Sequence, residues 1–192
     1  RLSADQGYAP ARHALGYLYS EGTHVQQDRE EALRWYRLAI DQDYIPSVLA
    51  VVDFYRTKTT VTRDLEEARR LILLAAELAM EQDNPGGFSS AASAAIRIDI
   101  NLSNSLLEQL AKAGCWRGAN GLANRYQYGD GLPRDYIKAY MWFNVAVALG
   151  NRDALNGMGQ IDLTRTQEVE AQRLAGEWLE AHPPLYYGHG RC

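Results

Sequence analysis

The sequence predicts an all-α protein, a right-handed α-solenoid superhelix of stacked antiparallel helix pairs with a C-terminal capping helix. Three observations carry this expectation. First, the 192-residue chain repeats itself. Shifted by 36 residues without a gap, Arg1-Leu2 falls on Arg37-Leu38, Asp5-Gln6 on Asp41-Gln42, Tyr8 on Tyr44, Tyr19 on Tyr55, Asp28 on Asp64, and Glu30-Glu31-Ala32 on Glu66-Glu67-Ala68. Second, a shift of 107 brings Leu15 onto Leu122, Tyr19 onto Tyr126, Gly22 onto Gly129, Asp28 onto Asp135, Trp35 onto Trp142, and Tyr36 onto Phe143. Third, apolar residues inside each unit recur at three- and four-residue spacing, between residues that start and stop helices. Fixed-period self-similarity of this length is the mark of a stacked-repeat architecture.

The elements follow in order. Residues 1–6 align with 37–42, the end of a second helix, so the chain is expected to begin inside a repeat and the natural protein to extend N-terminally. The first complete unit covers about 7–42. Its first helix carries Ala11, Ala14, Leu15, Leu18 and Tyr19 on one face, and Gly22 ends it. Asp28 is placed to cap the second helix, with Glu31 three residues on as a capping box. Ala32, Trp35, Tyr36 and Ala39 form that helix's apolar stripe. The alanines and Gly16 are expected to let the two helices approach closely. A second unit, about 43–83, is loosened: Ser47, Val52 and Lys58 stand where the first has Ala11, Gly16 and Gly22. Because 107 is one short of three periods, a degenerate unit is placed at about 84–113. A fourth covers 114–149, and a terminal unit 150–182 contains a long helix capped by Thr164 with Gln167 three on. Residues 183–192 form a tail, whose Tyr186 and Tyr187 could fold back on the last helix.

Composition narrows the function classes. Hydrophobic residues make up 46% of the chain and the net charge is −4. Phosphate contacts dominate nucleic-acid affinity, so an acidic chain is not expected to bind nucleic acid. The richest apolar stretches, 71–80 and 140–149, are interrupted by Glu77 and Asn144 and are too short to span a bilayer, so no membrane insertion is expected. Two cysteines, Cys115 and Cys192, make no disulfide framework. They could pair, but the expected arrangement is a buried Cys115 and a free tail thiol.

The pattern A-x-x-x-L-G-x-L-Y-x-x-G-x-x-V-x-x-D-x-x-x-A-x-x-W-Y-x-x-A at 11–39 resembles a Sel-one-like repeat (SLR), a relative of the tetratricopeptide repeat (TPR) with a longer period and a glycine loop. The 118–146 unit matches it too, with Gly118 for Ala11 and Ala123 for Gly16. The closing segment from Leu163 to Trp178 resembles the long last helix of bacterial members. The resemblance spans about 1–182. It implies a protein-interaction adaptor, often periplasmic or secreted in similar bacterial proteins, with a cytoplasmic location also open.

No residue pattern points to catalysis, and no cofactor or metal is expected. The four histidines, His13, His24, His182 and His189, have no metal-ligand spacing. His189 and Cys192 could hold a metal only weakly. Asp130 in GDGLPRD lacks the further oxygen ligands of a calcium loop and reads as a turn between paired helices. GMG at 157–159 has neither a preceding strand nor a following Lys. The triplet Asn101-Leu102-Ser103 is a glycosylation sequon, a pattern common by chance. Asp28, Glu30, Glu31, Glu66, Glu67 and Glu168 fall at helix starts, where acids face the positive end of the helix dipole.

A recognition surface is what remains. First helices of stacked pairs line a concave face. Positions that the repeat leaves variable there include His13, Tyr17, Leu49, Asp53, Asn120 and Asn124, and these are the candidate binding residues. A polar and aromatic groove suits a peptide or protein partner. The alternative is a carbohydrate- or peptidoglycan-binding module of a larger envelope protein, for which Trp116 is the best-placed aromatic. For any one of these residues, plain solvated helix surface is the competing reading.

Overall fold

A computed structural model describes residues 2–56 and 64–183, and every described element is helical or a turn. Eleven helices occur among the described residues. They fall into two compact units that divide after Asp83.

In the first unit, the short α1 (Leu2–Asp5) precedes α2 (Ala9–Glu21), α3 (Arg29–Ile40), α4 (Ile45–Arg56) and α5 (Leu65–Glu81). Helix α2 packs on α3, α4 on α5, and α3 joins the two pairs through α4. The stop signal at Gly22 acts as expected. Its φ of 71° is left-handed, and its N–H returns to the Leu18 carbonyl at 2.9 Å. Gly16 is needed for close approach: a Cβ there would lie 2.7 Å from the Tyr36 ring. Ala32, Leu33, Tyr36, Val51 and Phe54 form the core, with Tyr19, Ile40 and Leu71 packed around it.

In the second unit, α6 (Pro85–Ala95) pairs with α7 (Ile100–Lys112), and α8 (Trp116–Tyr128) with α9 (Tyr136–Ala148). The short α10 (Ala154–Met158) and long α11 (Arg165–Ala181) both pack on α9. At Gly118, a Cβ would fall 2.3 Å from the Leu107 carbonyl oxygen, so backbone meets backbone where α8 crosses α7. Thr164 and Gln167 form the expected reciprocal capping box at the start of α11.

Second helices start on a regular beat. Their N-caps, Asp28, Asp64, Asp99 and Asp135, are 36, 35 and 36 residues apart, and each side chain accepts at least one backbone N–H of the first turn. The degenerate unit therefore keeps the frame of its second helix and changes the first. Helix α5 runs 17 residues against 12 in α3, and α6 begins correspondingly late. Only a short turn then joins α6 to α7, and the Asp99 N–H reaches back to Ala95 in the same helix, at 2.8 Å.

Three expectations need correction. The capping box at Asp28 is only half built: Asp28 accepts from the Glu31 N–H, but Glu31 turns to Arg34. The reason is that the Asp28 N–H already donates to the Tyr19 carbonyl at 2.9 Å. Trp35 is only partly buried, and its indole N–H has no partner among the described residues. Tyr36, next to it, is the deep residue at 2% exposure. Cys115 is buried as expected, but it is disulfide-bonded rather than a plain thiol. Lys58, Tyr186, Tyr187, His189 and Cys192 lie outside the described residues.

Candidate functional site

The site is built on α8. Ala119, Leu122 and Ala123 bury one face of that helix. The adjacent face carries Trp116, Asn120 and Asn124, one turn apart each, all half-buried. Together with Phe143, Asn151, Asp153, Ala154 and Gly157 they line an open pocket of about 310 Å³. Phe143 comes from α9 and forms an apolar floor at 2% exposure. Gly157 allows α10 to close the far wall, since a Cβ there would lie 2.5 Å from the Phe143 ring.

The turn after α9 is held by its own polar groups. Gly150 reverses the chain at a φ of 106°. The Asn151 N–H returns to Ala146 at 2.9 Å, and the Asn151 side-chain oxygen accepts from the Asp153 N–H at 3.1 Å. Across the pocket, Asn151 Nδ2 donates to Asn120 Oδ1 at 3.4 Å, a long bond. Asn124 and the Asp153 carboxylate make no hydrogen bond or ion pair among the described residues. The Arg117 guanidinium stands 4.8 Å from the centre of the Trp116 ring. The pocket therefore offers carboxamide donors and acceptors, one carboxylate, and an aromatic wall.

Of the candidate residues, the structure brings Asn120 and Asn124 together here. The others belong to the first unit. His13 is held inward: its Nδ1 lies 3.0 Å from the Ser47 hydroxyl, and its ring contacts Tyr36 and Tyr44. Burial pushes its pKa below the usual 6.5. Leu49 is half-buried, Tyr17 is exposed, and exposed Asp53 pairs with Arg56 at 3.0 Å. The helix-start acids serve their helices: Glu31 pairs with Arg34, Glu67 with Arg70 and Glu168 with Arg165. The Asp130 segment is the turn between α8 and α9.

Reasoning from sequence missed Asn151, Asp153 and Gly157. The polar run after Gly150 was the available signal, though only the fold brings it across from α8. It also missed a buried polar network beside the site. Arg125, only 5% exposed, donates to Asn104 and to the Ser103 hydroxyl, at 2.6 Å to the latter. The Ser103 hydroxyl in turn donates to the Ala92 carbonyl. Burial lowers the Arg125 pKa, and the charge of Asp130 opposes that shift. Ser103 is fully buried, so the sequon's hydroxyl is committed to packing α6, α7 and α8.

Repeated helical hairpins with a polar pocket beside a first helix define a helical-repeat protein of the α-solenoid class. The Sel1 repeat family model matches residues 9–44, 54–80 and 116–151, just over half of the chain. The chain belongs to the Sel1 repeat family. No curated protein matches it. Among solved structures it is similar to a protective antigen present in uropathogenic Escherichia coli strains, which displays an SLR fold, at 22% identity and a TM-score of 0.42. That alignment covers 94% of this chain and 47% of the antigen, so this chain spans about half the antigen's length. A Sel1 repeat protein from Oxalobacter formigenes is similar at 19% identity and a TM-score of 0.49, over 89% of this chain and 73% of that one.

Proposed function

We propose that the chain is an interaction scaffold that binds a peptide segment of a protein partner in the pocket between α8, α9 and α10. Sel1 repeat proteins are generally protein-interaction modules and generally non-catalytic. One observation carries the assignment to this site: three carboxamides, from Asn120, Asn124 and Asn151, converge beside Trp116 over an apolar floor. Side-chain amides match the peptide bond donor for donor and acceptor for acceptor. A pocket at the small end of the ligand-binding range admits a segment of chain rather than a folded surface.

The test is a pull-down from envelope and soluble fractions of the source cell, with wild type and Asn124→Arg as baits. Asn124 is half-exposed, so the substitution fills the pocket without emptying a core. A partner kept by the wild type and lost with the variant supports the reading. Equal retention by both baits rejects this pocket as the contact.

The lining favours one second reading, a glycan ligand, because an aromatic wall among amides also suits a sugar ring. Screening the purified chain on an oligosaccharide array decides that. Binding that disappears with Trp116→Ala would put the glycan first.

A further inference from the structure

We propose that the pocket recognises an extended peptide carrying a basic side chain: the asparagines of α8 read its main chain and Asp153 reads its charge. This rests on the reading of the pocket as a peptide site.

The spacing of α8 argues for an extended main chain. Asn120 and Asn124 are four residues apart, and at 1.5 Å rise per residue their carboxamides are separated by about 6 Å along the helix. Two residues of extended chain span about 6.6 Å. A strand-like segment running along α8 therefore presents an equivalent peptide group to each carboxamide in turn. The two amides are left in complementary states. Asn120 Oδ1 is engaged by Asn151 Nδ2, which leaves the Asn120 amide hydrogens to donate to a carbonyl. Asn124, without a hydrogen bond among the described residues, has its amide hydrogens available to a main-chain carbonyl or its oxygen to a main-chain N–H.

Charge places the side chain. Asp153 is exposed on the opposite wall and its carboxylate has no cation partner among the described residues. Its backbone N–H is fixed to Asn151, so the carboxylate stands on a braced turn. At the other end, the Arg117 guanidinium lies over the Trp116 ring. That cation repels a basic group from the Trp116 end and leaves Asp153 as its seat. The chain's net charge of −4 supports the preference for a basic group at longer range.

The experiment selects nonapeptides from a random phage-displayed library on the immobilised full chain. The winning peptides are then synthesised and titrated by calorimetry against wild type, Trp116→Ala, Asn124→Ala and Asp153→Lys, each first checked for unchanged circular dichroism. The expected result has three parts. The peptides are enriched in Lys or Arg and lose binding with Trp116→Ala. Asn124→Ala weakens them by about 5- to 10-fold, the value of one neutral hydrogen bond. Asp153→Lys weakens them by more than 10-fold and shifts a repeated selection toward Asp or Glu. Single N-methylation of the peptide backbone reproduces the Asn124→Ala loss. Peptides that need Trp116 but show no basic enrichment and change less than twofold with Asn124→Ala would overturn this inference and leave the peptide site standing. Failure to obtain any Trp116-dependent peptide would overturn both.

Discussion

The amide of Asp28 donates to the carbonyl of Tyr19 at 2.9 Å, and the pairing recurs from Asp64 to Tyr55 at 3.2 Å and from Asp135 to Tyr126 at 2.9 Å. Each such aspartate does two jobs at once. Its main chain ties the mouth of a hairpin to the first helix, and its side chain caps the second. Replacing Asp135 with Ala keeps the main-chain tie and removes the cap, together with an exposed ion pair to Lys138 at 3.5 Å that contributes little. The expected cost is about 1 kcal/mol in urea unfolding, with Asp135→Asn nearly neutral. A loss above about 3 kcal/mol would mean the carboxylate holds something besides the helix start.

Gly118→Ala should be costly for so small a change. The added methyl would meet the backbone of Leu107 and Ala111, at 2.3 and 2.5 Å, and backbone yields less readily than a side chain. Overpacking of this kind costs about 1–3 kcal/mol, against a helix-propensity gain near 1 kcal/mol. A net fall in melting temperature is expected. An increase would show that α7 and α8 separate easily.

The tryptophans at equivalent repeat positions should behave differently. Trp142 is 8% exposed and meets Trp178 edge-on, with ring centres 5.1 Å apart. Trp142→Ala is expected to cost about 3–5 kcal/mol. Trp35 is less deeply placed, and its N–H has no partner among the described residues. Trp35→Phe should therefore stay within about 1 kcal/mol of wild type. Denaturation curves of Trp35→Phe and Trp142→Phe, each against wild type, check the contrast, with the larger loss expected at Trp142.

Acid should loosen the first unit through His13. Its pKa is lowered by burial against the uncharged Tyr36, Tyr44 and Ser47, so the folded chain resists taking up a proton that the unfolded chain accepts readily. The contribution is fully present above pH 6.5 and is lost as the pH falls below 6.5 and on through the lowered folded value. Melting temperatures between pH 7.5 and 5 should fall less steeply for His13→Asn than for wild type. Parallel slopes would exclude the histidine as the cause.

Asp53→Arg should barely affect stability. Its 3.0 Å pair with Arg56 lies within one helix, three residues apart, and exposed pairs of this kind contribute about 0–1 kcal/mol. A melting temperature within about 2 °C of wild type is expected; a large drop would show that the carboxylate holds α4 in place.

The fold was legible in the sequence because the repeat is written in residues with fixed local jobs. Asp28, Asp64 and Asp135 cap, Gly22 and Gly129 reverse the chain, and Gly16 makes room for a ring. Depth was harder to read. Trp35 and Tyr36 are neighbours on one apolar stripe, and only the packing of α2 and α4 decides which goes under. The buried Arg125 network could not be seen at all, since Arg, Ser and Asn in a helical pattern read as surface until a neighbouring helix covers them. Half of the candidate site was visible for a related reason. Asn120 and Asn124 stand out as variable positions on a first helix, whereas Asn151 and Asp153 matter only because the chain turns back after Gly150.

The Tyr19–Asp28 tie joins groups only nine residues apart and uses main chain on both sides. Closing a loop of that length takes about 10–100 ns, far less than the time for distant segments to find each other. Each hairpin can thus form from its own sequence before it stacks. Topologies dominated by such short-range contacts fold quickly, on microsecond to millisecond timescales. The third pair, whose Asp99 reaches back only four residues within a single turn, has the shortest loop to close. The unit least recognisable as a repeat is thereby the one with the least chain entropy to overcome at its turn.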